Sequence, residues 1–212
     1  MTNYILIGDS GHAKVIEDCI EATGGKVIAK LDDKYEFLFH EGPYIKGPLS
    51  LIKQLLIKDI KVIISIGNNA IRQAIVERIQ LENTNYGVVI HPSAIISPSA
   101  KIENGTVIMP NVVINASAII GDHVILNTGC IVEHDCIIGE FAHISPSVVL
   151  TGGVIIEEGT QIGANSSVNP LVKVGKWSIV GAGSAVIRDI PDNVTAVGVP
   201  TKVIKKEGLI ND

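Results

Sequence analysis

Stepping through the second half of the chain by six from Ile96 lands on an aliphatic residue sixteen times in succession, ending at Val186. The position two residues before each of these is restricted as well: from Ala94 through Cys130 and Cys136 to Ser184 it holds only small or β-branched residues. A period of six fits neither the 3.6 of a helix nor the 2 of an amphipathic strand. It matches a parallel β-solenoid whose coil is a triangle with one hexad per side. Large aliphatics then fill the interior and small residues take the tight position near each corner. Turn formers recur at the hexad ends, as in Gly121-Asp122, Gly139-Glu140 and Gly163-Ala164-Asn165, where positive φ costs least. Sixteen hexads make about five coils, roughly 25 Å tall at about 4.8 Å per stacked strand.

The first part of the chain has another rhythm. An apolar run from Tyr4 to Ile7 enters Gly8-Asp9-Ser10-Gly11-His12, and a helical pattern follows through Val15, Ile16, Cys19 and Ile20. A second predicted strand, Val27 to Leu31, ends at Asp32-Asp33. A third, Val62 to Ile66, ends at Gly67-Asn68-Asn69 and feeds a helix carrying Ile71, Ile75 and Ile79. Strands and helices alternating at these lengths imply a small parallel sheet with right-handed crossovers. The expectation is an α/β, Rossmann-like unit over residues 1–90, followed by a parallel β-helix with a C-terminal tail over residues 91–212. The stretch from Asp33 to Leu49, rich in Gly and Pro, reads as an exposed loop, and Val88-Val89-Ile90 followed by His91-Pro92 marks the passage into the solenoid.

Composition narrows the setting. With 212 residues, 46% of them hydrophobic and 18% charged, the chain has enough apolar material for real cores. Its longest apolar runs fall far short of a spanning helix and Met1-Thr2-Asn3 is no signal region, so no membrane insertion and a cytoplasmic location are expected. A formal charge of -5 argues against a nucleic-acid partner but leaves room for a phosphorylated small molecule. Cys19, Cys130 and Cys136 have no zinc-like spacing and read as reduced, buried residues.

Ligands of open parallel sheets bind beyond the carboxyl ends of the strands. Three polar clusters lie there: Ser10-Gly11-His12, Asp32-Asp33 and Gly67-Asn68. The first offers backbone N–H groups and a helix N-terminus to a phosphate, and the acids suit ribose or base. The spacing Gly-x-x-Gly is not the dinucleotide fingerprint, which disfavours a nicotinamide enzyme, and the same turn also serves plain packing. Among six histidines, His134 stands out between Glu133 and Asp135 at a hexad turn. A carboxylate beside an imidazole fixes its tautomer and raises its basicity, as a general base requires, although charged turns are also commonly just solvated. His143, nine residues on, is half a coil away, so the two need not meet within one chain.

Seven segments together resemble a known family: Ile7-Gly8-Asp9-Ser10-Gly11-His12, Leu31-Asp32-Asp33, Ile66-Gly67-Asn68-Asn69, His91-Pro92-Ser93-Ala94, Ile131-Val132-Glu133-His134-Asp135, Ile144-Ser145-Pro146 and Gly198-Val199-Pro200. From about residue 4 to 204 the chain is similar to the hexapeptide-repeat sugar acetyltransferases of bacteria. These include the UDP-4-amino-sugar acetyltransferases, the sialic acid O-acetyltransferases and, most alike, the exopolysaccharide-operon acetyltransferases of Bacillus. The resemblance implies a homotrimer of left-handed β-helices with active sites between subunits. It also implies acetyl-CoA as cosubstrate, a nucleotide-linked amino sugar as acceptor, and no metal. In it His134 matches the general base and Asp135 its acidic neighbour, which is glutamate in some relatives. His143, Gly152, Ala164 and Ala182 match cofactor contacts, and Ser10, Gly11, His12, Asp32, Asp33, Gly67 and Asn68 lie at the nucleotide-sugar end. The competing expectations are acetylation of a sialic acid or other sugar hydroxyl, and a noncatalytic trimeric nucleotide-sugar scaffold. A zinc-holding β-helical carbonic anhydrase fits poorly, because the chain has no metal-ligand pattern and that enzyme has no use for the first unit.

Overall fold

The computed structural model describes residues 2–57 and 59–206; the tail expected beyond residue 206 lies outside the described residues. Strand β1 (Asn3–Ile7) is flanked in parallel by β2 (Lys26–Leu31) and β5 (Ile60–Ile64), and β3 (Phe39–Glu41) and β4 (Tyr44–Gly47) complete the sheet in the order β3-β4-β2-β1-β5. Side chains alternate across β1. Tyr4 and Leu6 join the core with helix α1 (Gly11–Ala22), whereas Ile5 and Ile7 join the one with α2 (Ile52–Leu55) and α3 (Asn69–Ile79). Both faces of the sheet are thereby covered, as a parallel sheet requires.

The stretch from Asp33 to Leu49 departs from the expected loop. It contains β3 (Phe39–Glu41) and β4 (Tyr44–Gly47), an antiparallel hairpin turning at Gly42, and β4 extends the sheet in parallel with β2. β3 is the edge strand and β4 lies between it and β2; both are short and turn through Gly42-Pro43, so their composition looks like that of a loop.

From Val89 the chain winds into a three-sided prism of two-residue strands. Its first face starts at Ile95–Ile96 and its second at Lys101–Ile102. Its third starts at Val89–Ile90 and is closed by Val194–Val197 and Lys202–Lys206. Each strand pairs with the one 18 residues on, as Val113 does with Ile131. The aliphatic track points inward: Ile108, Leu126, Ile144 and Ile162 are all fully buried. The small-residue track, including Cys130 and Cys136, is buried as well, and the cysteines are free. Val89–Ile90 already belongs to the third face, pairing with Val107–Ile108.

The first unit sits on that third face. Its α1 residues Ile16 and Cys19 share one core with Val107 and the interior ladder, and the Cys19 Sγ lies 3.7 Å from the Met109 Sδ. Among the described residues no helix is long and apolar enough to cross a membrane.

Candidate active site

His134 stands on the edge between the first and second faces, following the strand Ile131–Val132. Asp135 takes a positive φ of 60° there, a conformation that Asp tolerates better than most residues, and this turns its carboxylate back toward the preceding ring. The Asp135 Oδ2 lies 2.8 Å from the His134 Nδ1. An ionised carboxylate only accepts, so Nδ1 carries the proton and Nε2 keeps a free lone pair. That lone pair lies over Gly152, one coil further on. A Cβ at residue 152 would come within 2.6 Å of the His134 Cε1 and Nε2. His134 is well exposed, its side chain retaining 62% of its accessible surface. A basic nitrogen, an orienting acid and a glycine cradle therefore meet at one open edge, the arrangement needed to take a proton from an attacking amine or hydroxyl.

The second cluster lies where the first unit meets the third face. The His143 and His12 rings are 6.3 Å apart, centroid to centroid. Asn127 Oδ1 accepts the Thr128 N–H at 2.8 Å, which leaves its Nδ2 to face the His143 Nε2 at 3.2 Å. Nε2 is thus an acceptor and the His143 proton sits on Nδ1. Burial above all, with the charges of Arg72 and His12, pushes His143 down to about 4, so it is neutral near pH 7. His12 is lowered for the same reasons, burial and then Arg72.

The polar turns of the first unit gather at the carboxyl end of its sheet. Ser10 precedes α1 with no side-chain cap and Gly11 is exposed, so the first N–H groups of that helix remain available. Asn68 caps α3 by accepting from the Ile71 N–H at 3.0 Å. Asp32 accepts the Asp9 N–H at 2.9 Å and the Lys34 N–H at 3.1 Å, while Asp33 pairs with Arg78 at 2.6 Å. Burial alone would raise the Asp9 carboxyl, but the Tyr35 hydroxyl at 2.5 Å and Lys46 at 2.9 Å outweigh it and hold Asp9 below its ordinary value. Beside this network opens a cleft of about 360 Å³ whose walls include Ile7, Leu31, Ile66, Ile75 and the polar Asp32, Asp33 and Arg78. A mostly apolar cleft with a few polar groups in its lining suits a nucleobase.

Ala164 and Ala182 stack one coil apart on the edge between the third and first faces, where the Gly183 N–H donates to the Ala164 carbonyl at 2.8 Å. Within one chain, then, His134 and His143 lie on different sides of the prism, and His143 joins His12 and Gly67 instead. Asn127, Arg72 and Arg78 have no motif of their own, and the Tyr35 and Lys46 partners of Asp9 lie outside its motif. Arg72 alone left a trace in the sequence, as the charge on the buried stripe of α3 with Asn69, Ile75 and Ile79. Among the described residues no group of three or more His, Cys, Asp or Glu is placed to hold a metal ion.

Two family models match: the PglD N-terminal domain over residues 3–79 and the bacterial transferase hexapeptide (six repeats) over residues 117–152. The chain is 45% identical over 112 residues to UDP-N-acetylbacillosamine N-acetyltransferase of Bacillus subtilis, a match spanning 51% of this chain and 52% of that enzyme. It thus spans about half the length of this curated relative. Solved structures match over nearly their whole length. PerB of Caulobacter crescentus, in complex with CoA and GDP-perosamine, is 36% identical, with a TM-score of 0.88 over 96% of this chain and 98% of PerB. The acetyltransferase domain of PglB from Neisseria gonorrhoeae is 34% identical, with a TM-score of 0.87 over 96% of this chain and all of that domain. Two variants of the perosamine enzyme, each with one histidine replaced, were solved with the same two ligands. Since such relatives are matched along almost their entire length, the chain belongs to the acetyl-CoA-dependent sugar N-acetyltransferases that join a PglD-type N-terminal domain to a left-handed hexapeptide-repeat β-helix.

Proposed function

We propose that this protein acetylates the amino group of a nucleotide-linked sugar, with the 4-amino group of a UDP-sugar as the leading acceptor, in surface polysaccharide or glycan biosynthesis. The observation that carries the reading is the His134–Asp135 pair with its free Nε2 poised over Gly152. The amine attacks the thioester carbonyl carbon, and a C–N bond forms. The amine proton passes to His134 Nε2, while a backbone N–H, that of Gly152, stabilises the oxyanion. The C–S bond then breaks, and the thiolate leaves with the proton that His134 returns. Holding both reactants in one site supplies much of the rate. That perosamine N-acetyltransferase was studied with one histidine replaced supports giving a histidine this role.

In this reading residues 1–90 hold the nucleotide end through Ser10, Gly11, His12, Asp32, Asp33, Gly67 and Asn68, and residues 91–212 form the acetyltransferase unit. His143, Gly152, Ala164 and Ala182 contact acetyl-CoA. The assembly is a homotrimer with each site between two subunits. Its support is the apolar outer surface of the second face beside the His134 edge, where Ile119 and Ile137, paired on adjacent strands, are 40% and 44% exposed. Large apolar side chains in neighbouring exposed positions mark a protein contact. Both reactants are cytoplasmic metabolites, which supports a cytoplasmic location.

Purified protein offered acetyl-CoA with UDP- and GDP-linked 4-amino sugars and with a sialic acid tests the reading through free thiol and product mass. N-acetylation of the UDP-sugar is expected. Turnover confined to the sialic acid would establish a hydroxyl acceptor, and binding without turnover on any acceptor would favour the scaffold. His134→Ala should lower turnover by about a hundredfold to ten-thousandfold with ligand dissociation constants little changed. Light scattering should find three chains, and an active monomer would remove the shared site.

A further inference from the structure

Arg72 is only 1% exposed, and every acceptor its guanidinium meets is a carbonyl oxygen. Nη1 donates to Ile66 at 3.0 Å and Gly67 at 3.4 Å, on the turn that follows β5. Nε donates to His123 at 2.9 Å, and Nη2 to Phe141 at 2.6 Å and Ala142 at 3.4 Å, on two successive coils of the prism. Nη2 also meets the Asn69 side chain at 3.0 Å, and Asn69 donates in turn to the Gly159 carbonyl on a third coil. No carboxylate pairs with Arg72 among the described residues. A cation withdrawn from water without a counter-ion is costly, and burial pushes its pKa down to about 9. Adhesion between the two units does not require it, because Leu6, Ile16 and Cys19 already share an apolar core with Val107.

The carbonyls it grips are placed where chemistry would use them. Gly67 belongs to the turn read above as holding the nucleotide end of the sugar substrate, and Phe141-Ala142 runs directly into His143. The Gly67 main chain lies close enough to the His143 ring to bear on its protonation, and the buried His143 Nδ1 has no hydrogen-bond partner among the described residues. We infer that Arg72 is a positioning residue, which fixes the turn Ile66-Gly67-Asn68 of the first unit against the coil carrying His143 and so sets the distance between acceptor amine and thioester. The inference rests on the roles proposed above for Gly67 and His143. Arg72 holds that turn from within while the ligands approach from outside.

Full-length Arg72→Met and Arg72→Lys test it by three readouts: UDP affinity by calorimetry, steady-state turnover, and the imidazole nitrogen signals of His143 in labelled protein. UDP affinity should fall far less than turnover, since of the cleft walls only Ile66 lies on the turn that Arg72 holds, and those at Asp33 and Arg78 are formed by other residues. Turnover number should fall by about a hundredfold in Arg72→Met, the scale of a misplacement of about 1 Å, and by less in Arg72→Lys. The His143 nitrogen signals should shift in both variants as the Gly67 turn moves against the ring, while the Nδ1–H tautomer, set by Asn127, is kept. Wild-type turnover in folded Arg72→Met overturns the inference. So does a loss that only follows the folded fraction while the His143 signals stay unchanged, or loss of fold in both variants. Absence of turnover in the wild type on every acceptor counts against the proposed function instead, and the His143 signals then decide the role of Arg72 alone.

Discussion

At residue 152 the absence of a side chain is what lets the His134 ring lie against the next coil. A methyl group there would stand 2.6 Å from two ring atoms, so Gly152→Ala forces the imidazole to rotate out of its alignment with Asp135. The ring is exposed and free to move, which keeps the cost to folding small. We expect unfolding by denaturant close to wild type and turnover lowered by about a hundredfold, as a misplaced reacting group implies; wild-type turnover would show that the lone pair is not used in this orientation. Asp135→Asn keeps a side chain that tolerates the positive φ and removes only the charge, so its loss should be smaller than that of His134→Ala. The pairing of His134 with Asp135 was legible in sequence because the two are adjacent. The Gly152 cradle was not legible from spacing alone, since it depends on the stacking of coils 18 residues apart.

The elements show where periodicity informs and where it fails. The hexad track predicted the interior, and the structure buries it: Ile138 is 1% exposed. Ile138→Ala should therefore cost about 2–5 kcal/mol of stability. Ile138→Asp, which puts an unpaired carboxylate among aliphatics, should cost more and yield little folded protein. Denaturant melts with a circular dichroism readout check both, and equal stability of Ile138→Asp and wild type would refute the inward ladder. The hairpin of β3 and β4 escaped notice for the opposite reason. Its strands are three and four residues long, β3 is the open edge and β4 finds its parallel partner, β2, outside the hairpin, so neither run is long enough to carry a period that distinguishes it from a turn.

Across the whole molecule, the junction between the two units is sensitive to acid. His123 is 3% exposed and stacks on Phe141. Burial above all brings it down to about 4, Asp122 opposing and Arg72 adding to the shift. His143 is likewise near 4, for burial and for Arg72 and His12. In the unfolded chain both return to about 6.5. Between those values the unfolded chain binds protons that the folded one refuses, so stability is full above about pH 6.5 and declines as pH falls toward 4, by up to about 1.4 kcal/mol per pH unit for each histidine. Thermal melts from pH 7 to 4.5 should show the decline and His123→Gln should lessen it; a flat profile would mean that neither histidine is buried neutral. The sequence by itself determined the two units, the solenoid, the helices α1 and α3 of the first unit and the His134–Asp135 pair, because periodic burial and adjacent residues are local properties written along the chain. Only the tertiary structure decided that β4 joins β2, that Asn127 holds the His143 tautomer, and that one buried guanidinium grips carbonyls of both units. Those contacts join residues up to 70 positions apart, and a main-chain carbonyl, which every residue carries, leaves no mark in a sequence.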